Sequence, residues 1–158
     1  MQSIDIHGFR ELDADFQRIL DEAPGSRREL HESIAAMLEQ EISMAISNSG
    51  LNDSNSRVRR YQIKHVGSGG GYAAIRPAGS SDGAETGSNG PGAITNYLES
   101  GHKIRAPKGG KGYRPRIRVP HVNGYHFYNT AGVAAEAKAI RMAEDFANNL
   151  VGRIGGTG

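Results

Sequence analysis

The 158-residue chain has no cysteine. That excludes disulfides, thiolate metal sites and cysteine nucleophiles, and it fits a reducing compartment. Tryptophan is also absent, and aromatics make up only 6% of the residues. Long apolar runs are missing. No stretch approaches the ~20 residues of a membrane span. The N-terminal MQSIDIHGF carries Asp5 and no apolar run, so it does not have the pattern of a secretory signal. With a mean hydropathy of −0.54, a soluble protein is expected, with no membrane partner. Glycine, by contrast, is abundant at 22 residues, clustered in 67–71, 79–92, 109–112 and 152–158. Few aromatics and much loop imply a small core in a single domain over 1–158, of the kind completed by packing against copies of itself.

One stretch lacks acids altogether. From His102 to His121 the chain reads HKIRAPKGGKGYRPRIRVPH. It carries Lys103, Arg105, Lys108, Lys111, Arg114, Arg116 and Arg118 and no Asp or Glu. The whole chain has 19 Lys+Arg against 17 Asp+Glu; without these seven the balance is 12 against 17. The sequence pI near 9.0 is therefore the property of one segment on an acidic body. Residues 1–50 hold ten acids and four bases. Pro107, Pro115, Pro120 and Gly109, Gly110, Gly112 keep most of the segment out of a helix, and its charges repel one another. An extended basic arm has three candidate surroundings: a nucleic acid, an acidic neighbouring subunit, or water alone.

Along the chain, Phe9, Leu12, Phe16, Ile19 and Leu20 fall at helical spacing, and Pro24-Gly25 is expected to stop that first helix at Glu22. Ser26-Arg27-Arg28-Glu29 has the capping-box pattern that opens a second helix. Its stripe is Leu30, Ile34, Met37, Leu38, Ile42, Ala45 and Ile46, and Asn48-Ser49-Gly50 ends it. This stripe is expected to be core or a subunit seam. After the linker 51–56, Arg57–Val66 alternates as a strand, 67–71 turns the chain, and 72–76 returns as the second strand of a hairpin. Residues 78–93 form a low-complexity loop expected to be mobile or ordered by a partner, as is 103–116. Ile94–Ser100 makes one or two helical turns before Gly101. Tyr113–Val122 alternates as a strand with a cationic face, Asn123-Gly124 is a hairpin signal, and Tyr125–Tyr128 is its partner strand. Thr130 caps a closing helix over Ala131–Val151, with Val133, Ala137, Ile140, Ala143, Ala147 and Leu150 inward and a frayed tail at 152–158. The fold class is α+β, with N-terminal helices and a C-terminal helix packed on a small antiparallel sheet.

Catalytic and metal signals are weak. None of His7, His31, His65, His102, His121 and His126 pairs at the i, i+4 spacing of a helical metal site; His121 and His126 flank a turn without a nearby acid. Gly67–Gly71 and Gly109-Gly110-Lys111-Gly112 lack the rest of a phosphate loop. Glu39 and Glu41 point to different helix faces, for which a solvated face is the default. Neither catalysis, a cofactor nor a metal is expected. The basic segment is the remaining candidate, as a solvated run, a phosphate-backbone contact with Tyr113 as its one internal aromatic, or a dock for the acidic N-terminal region of an adjacent copy.

Two landmarks flank that segment. AITNYLESGHKIR at 93–105, followed by VNGYHFYNTAGVAAEAKAIR at 122–141, resembles the neck or tail-completion proteins of long-tailed bacteriophages, the minor tail and head–tail joining group. The motif of that group, Tyr-Leu/Val-Glu-x-Gly-His/Thr, corresponds here to Tyr97-Leu98-Glu99-Ser100-Gly101-His102. A variable loop and an aromatic segment leading into a terminal helix follow it. The resemblance implies a virion structural protein, made in the host cytoplasm and assembled as a ring at the head–tail interface. Its implied partners are copies of itself, other neck and tail proteins, and DNA in the lumen. The seven cations from Lys103 to Arg118 would then line the channel or grip a neighbour. The alternative expectation is a sequence-independent nucleic-acid-binding domain that uses residues 103–118.

Overall fold

The structure is a computed structural model that describes residues 7–104 and 121–155. Its elements, in chain order, are α1 (His7–Asn48), α2 (Arg57–Tyr61), β1 (Gln62–Val66), β2 (Ala73–Pro77), two 3-10 turns (Ser80–Asp82 and Gly87–Asn89), α3 (Pro91–Ser100), β3 (Gly101–Lys103), β4 (His121–Asn123) and α4 (Phe127–Gly155). The class is α+β, with long N- and C-terminal helices, as expected. The strands form two separate antiparallel ribbons, β1–β2 and β3–β4, in place of one sheet.

The expected break at Pro24-Gly25 does not occur, and α1 runs through Pro24. A proline inside a helix removes one backbone bond and crowds the preceding turn. Here the neighbours hold the helix on both sides of that fault. On one flank Leu20, Ala23, Pro24 and Arg27 share a hollow with Phe146 and Leu150 of α4, and Glu22 pairs with Arg153. On another flank the β1–β2 turn closes against the helix: Arg27 Nη2 donates to the Gly69 carbonyl at 3.0 Å, and Gly70 lies against Arg28. Ser26 and Glu29 are therefore interior helical residues, with no cap to make.

The core cluster is Ile42, Ala45, Ile46, Val58, Phe127 and Ala131, with Leu51, Ile75, Leu98, Tyr125 and Tyr128 packed around it. The second half of α1 contributes the stripe expected of it. Glu41 is buried against Lys138 of α4, so its face is a helix contact and not a solvated one. Glu39, on a different face, pairs with Lys64 at 3.1 Å.

The strand expected over Arg57–Val66 begins only at Gln62, because residues 57–61 are helical. Asp53 causes this. Its carboxylate accepts from the backbone N–H of Val58 at 2.9 Å and of Arg59 at 3.2 Å, satisfying donors that a helix start leaves free. The ribbon that follows pairs Gln62 with Pro77 through Val66 with Ala73. Within residues 78–93, Asp82 makes a two-pronged ion pair with Arg76 at 2.8 and 3.1 Å. There α3 starts at Pro91, the residue type suited to a first helical turn.

The closing helix begins at Phe127, four residues before the expected start, and Tyr125–Tyr128 is not a strand. Thr130 lies inside the helix and donates to the His126 carbonyl at 3.0 Å. The inward stripe is Phe127, Ala131 and Ala135, continued by the half-buried Ala139, Met142, Phe146 and Leu150. Of the stripe expected to face inward, only Leu150 does; Val133, Ala137, Ile140, Ala143 and Ala147 are exposed. Both stripes satisfy helical spacing. The one carrying Phe127 and Phe146 buries more area, and the Glu41–Lys138 pair fixes the helix rotation.

Candidate nucleic-acid or subunit interface

The basic segment springs from a short stem. Strand β3 pairs with β4 in the register Gly101 with Asn123, His102 with Val122, and Lys103 with His121. The pairing therefore sets Lys103 and His121, which bracket the basic segment, side by side. Asn123-Gly124 is not a hairpin turn but the exit from this ribbon into α4.

Two glycines permit the stem. Gly101, at φ 73°, would place a Cβ 2.2 Å from the Val122 carbonyl oxygen. A Cβ on Gly124 would lie 2.1 Å from the Glu99 carbonyl oxygen. No side chain fits at either position, so the strand bases meet backbone to backbone. The contact is made by hydrogen bonds. Tyr125 N–H donates to the Leu98 carbonyl at 2.8 Å and His126 N–H to the Glu99 carbonyl at 3.2 Å. These satisfy carbonyls that the end of α3 leaves open.

Glu99 then completes the mount. Its carboxylate accepts from the N–H of Tyr128 at 3.0 Å and of Asn129 at 3.4 Å. It thus caps α4 from a different helix, where a negative charge also meets the favourable end of the helix dipole. Beneath it lies a buried polar set. Gln62 donates to the Val58 carbonyl and to the Thr95 hydroxyl, each at 3.1 Å, and accepts from the Tyr128 hydroxyl. Burial, with Glu99 nearby, pushes the Tyr128 hydroxyl up to about 12, so it remains a donor. No buried polar side-chain atom is left unpartnered among the described residues.

The outer surface of the stem is exposed and carries no free acid among its described residues. A shallow hollow of about 700 Å³ is lined by Tyr97, His102, Lys103 and Ile104. The Tyr97 and His102 rings meet at 5.3 Å between centroids, and His121 and Val122 stand exposed on the paired strand. Of the seven cations expected to form the interface, the structure places Lys103 here; Arg105, Lys108, Lys111, Arg114, Arg116 and Arg118 lie outside the described residues. Aromatic ring faces, imidazole N–H groups and the Lys103 ammonium can meet a phosphate, a base face or an acidic side chain.

Charge alone marks Lys103 in the sequence, whereas Tyr97, Glu99 and His102 stand there only as residues of a motif, with no contact assigned to them. Glu99 has no signal of its own in the sequence: Thr130 offers cap chemistry at the start that the sequence suggests, and the start at Phe127 shows only in the fold. Among the described residues there is no group of three acids or histidines able to hold a metal, and no helix is long and apolar enough to cross a membrane. Comparison with family models, with curated proteins and with solved structures finds no match.

Proposed function

We propose that this chain is a structural virion protein that forms a ring at the phage head–tail interface, in neck or tail completion, and joins head to tail around the DNA channel. The observation that carries the reading is the stem. The residues of the Tyr97–His102 motif build a fixed mount for a basic segment on a body whose first 50 residues hold ten acids and four bases. Opposite charges in two regions of one chain favour head-to-tail contacts between copies, and such contacts generate rings when the rotation closes. The long exposed helices supply further surface for neighbours. Partners would be copies of the chain, other neck and tail proteins, and DNA in the lumen.

The test is the mass of the purified protein by light scattering at low and high salt, with electron microscopy of any large species and addition to a lysate lacking this component. A discrete multimer weakened by salt, and restored head–tail joining, support the ring. A species that stays monomeric at high concentration and joins nothing overturns it.

A second reading is favoured by the Tyr97, His102 and Lys103 surface: sequence-independent nucleic-acid binding by residues 103–118. It requires the monomer to bind duplex with log affinity falling linearly in log salt, by about 0.9 for each phosphate neutralised. Replacing Arg114, Arg116 and Arg118 by Ala must then weaken all sequences equally; unchanged affinity rejects it.

A further inference from the structure

The outward face of α4 carries apolar side chains that have no cover among the described residues. Val133 is 71% exposed, Ile140 52% and Val151 67%, and Ala137 and Ala147 beside them are exposed too. These residues and Glu144 follow one another at steps of 4, 3, 4, 3 and 4, a seam with a period of 3.5. It lies on the opposite side of the helix from Phe127, Ala131 and Ala135, which pack into the core. A surface helix ordinarily has one apolar face; α4 has two.

The order along the seam identifies the occupant. Val133, Ala137, Ile140, Glu144, Ala147, Val151 reads nearly the same in both directions. Turned end for end, a second α4 sets Val133 against Val151 of the second copy and Ala137 against Ala147 of the second copy. Large thus meets large at the ends, and small meets small between them. The one mismatch, Ile140 facing Glu144 of the second copy, falls beside the two-fold axis. Arg141 flanks the seam there, and neither Arg141 nor Glu144 has a partner among the described residues. In the reversed pairing each Arg141 meets the Glu144 of the other copy, making two equivalent ion pairs. A parallel pairing would instead put Glu144 against Glu144. The alanines let the helices approach closely.

We infer that α4 is a self-complementary seam on which two copies of this chain pair antiparallel about a two-fold axis near residue 142. The seam is ~27 Å long at 1.5 Å per residue, and a non-covalent pair along it forms and separates with concentration. Such pairing is isologous and closes at two copies, whereas a ring requires different surfaces to meet. The inference therefore does not rest on the ring reading, and the two predict different stoichiometries.

The absence of cysteine makes the test clean. Variants A137C and A147C, the second carrying a tag that changes its mass, are oxidised mildly alone and mixed. The expected result is a disulfide-linked pair of one A137C with one A147C chain in the mixture, and little product from either variant alone. Cross-linking of A137C to itself overturns the antiparallel arrangement. No cross-link in the mixture, with sedimentation showing a monomer or a multimer larger than two, overturns the seam. As a second measurement, V133D and V151D, both on exposed positions, keep the helical circular dichroism of the parent and move the dimer midpoint at least about tenfold higher in concentration, through lost apolar burial and unpaired carboxylates at the seam. An unmoved midpoint also overturns the seam, leaving another protein as its occupant.

Discussion

The two ribbons of this molecule are built on opposite plans. The strands of β1–β2 are five residues long, and the ribbon lies against α1 with Gln62 sunk into the core. Those of β3–β4 are three residues long and largely exposed, and the ribbon is fastened at its base by two glycines, backbone bonds and one carboxylate. Each adjoins a helix whose start is capped by a carboxylate from elsewhere: Asp53 acts five and six residues back, Glu99 from 29 and 30 residues back on another helix. The first ribbon is part of the core; the second is a mount. The second ribbon buries little area, and what holds it is close backbone approach, backbone hydrogen bonds and the Glu99 carboxylate.

Four changes sharpen or break this contrast. The largest effect is expected at the second ribbon. Gly124→Ala sets a methyl group against the Glu99 carbonyl and should cost about 3 kcal/mol through strain and displacement. Urea denaturation measures it; a loss under about 1 kcal/mol means the stem simply shifts and is not a fixed mount. Next is Gln62→Ala in the first ribbon. It strips partners from Thr95 and Tyr128 in the interior and should cost about 2 kcal/mol by the same assay; a neutral result places water there.

Glu99→Ala removes a cap, worth about 1 kcal/mol. Its signature is increased amide exchange at Tyr128 and Asn129 with the β1–β2 ribbon undisturbed, and equal loosening of both ribbons would contradict the separation drawn here. Asp53→Asn is comparable or smaller, about 0.5–1 kcal/mol at neutral pH. Burial raises the Asp53 pKa, but the N–H groups of Val58 and Arg59 and the Arg59 guanidinium outweigh it and hold the carboxyl below its usual range. A depressed folded pKa gives stability that is present above the unfolded value and is lost as pH falls through the folded one. Parent stability should therefore fall more steeply than that of the Asn variant below about pH 4, the ordinary carboxylate range. Parallel curves would show that Asp53 contributes no charge effect.

The contrast also explains what could be read from the residues alone. The stripe from Leu30 to Ile46 and the β1–β2 hairpin with its glycine turn were legible, because periodic side chains decide both. The continuity of α1 was not. Pro24-Gly25 is a strong local stop signal, and it is overridden by α4 and the 67–71 turn, neither of which lies near it in sequence. Local capping misled twice more: Ser26 and Thr130 have the right chemistry, while the groups that cap helices are Asp53 and Glu99. Asn123-Gly124 has the pattern of a turn, yet its glycine serves a backbone approach to α3. In α4 two stripes share one helix, and periodicity alone cannot say which meets the core. At the candidate interface Lys103 was legible from charge, whereas the Tyr97–His102 contact needed α3 to stop at Gly101 and the chain to return beside it.

The pairing of Lys103 with His121 also sets a radius of action. The 17 residues 104–120 are tied at both ends to neighbouring points, so no part of them can reach farther than about half of their contour. At no more than ~3.5 Å per residue their farthest point lies within ~30 Å of the stem. A partner held by any of the seven cations would be leashed to within that distance of the stem, and a pull on it would pass through both strands at once into the end of α3 and the start of α4.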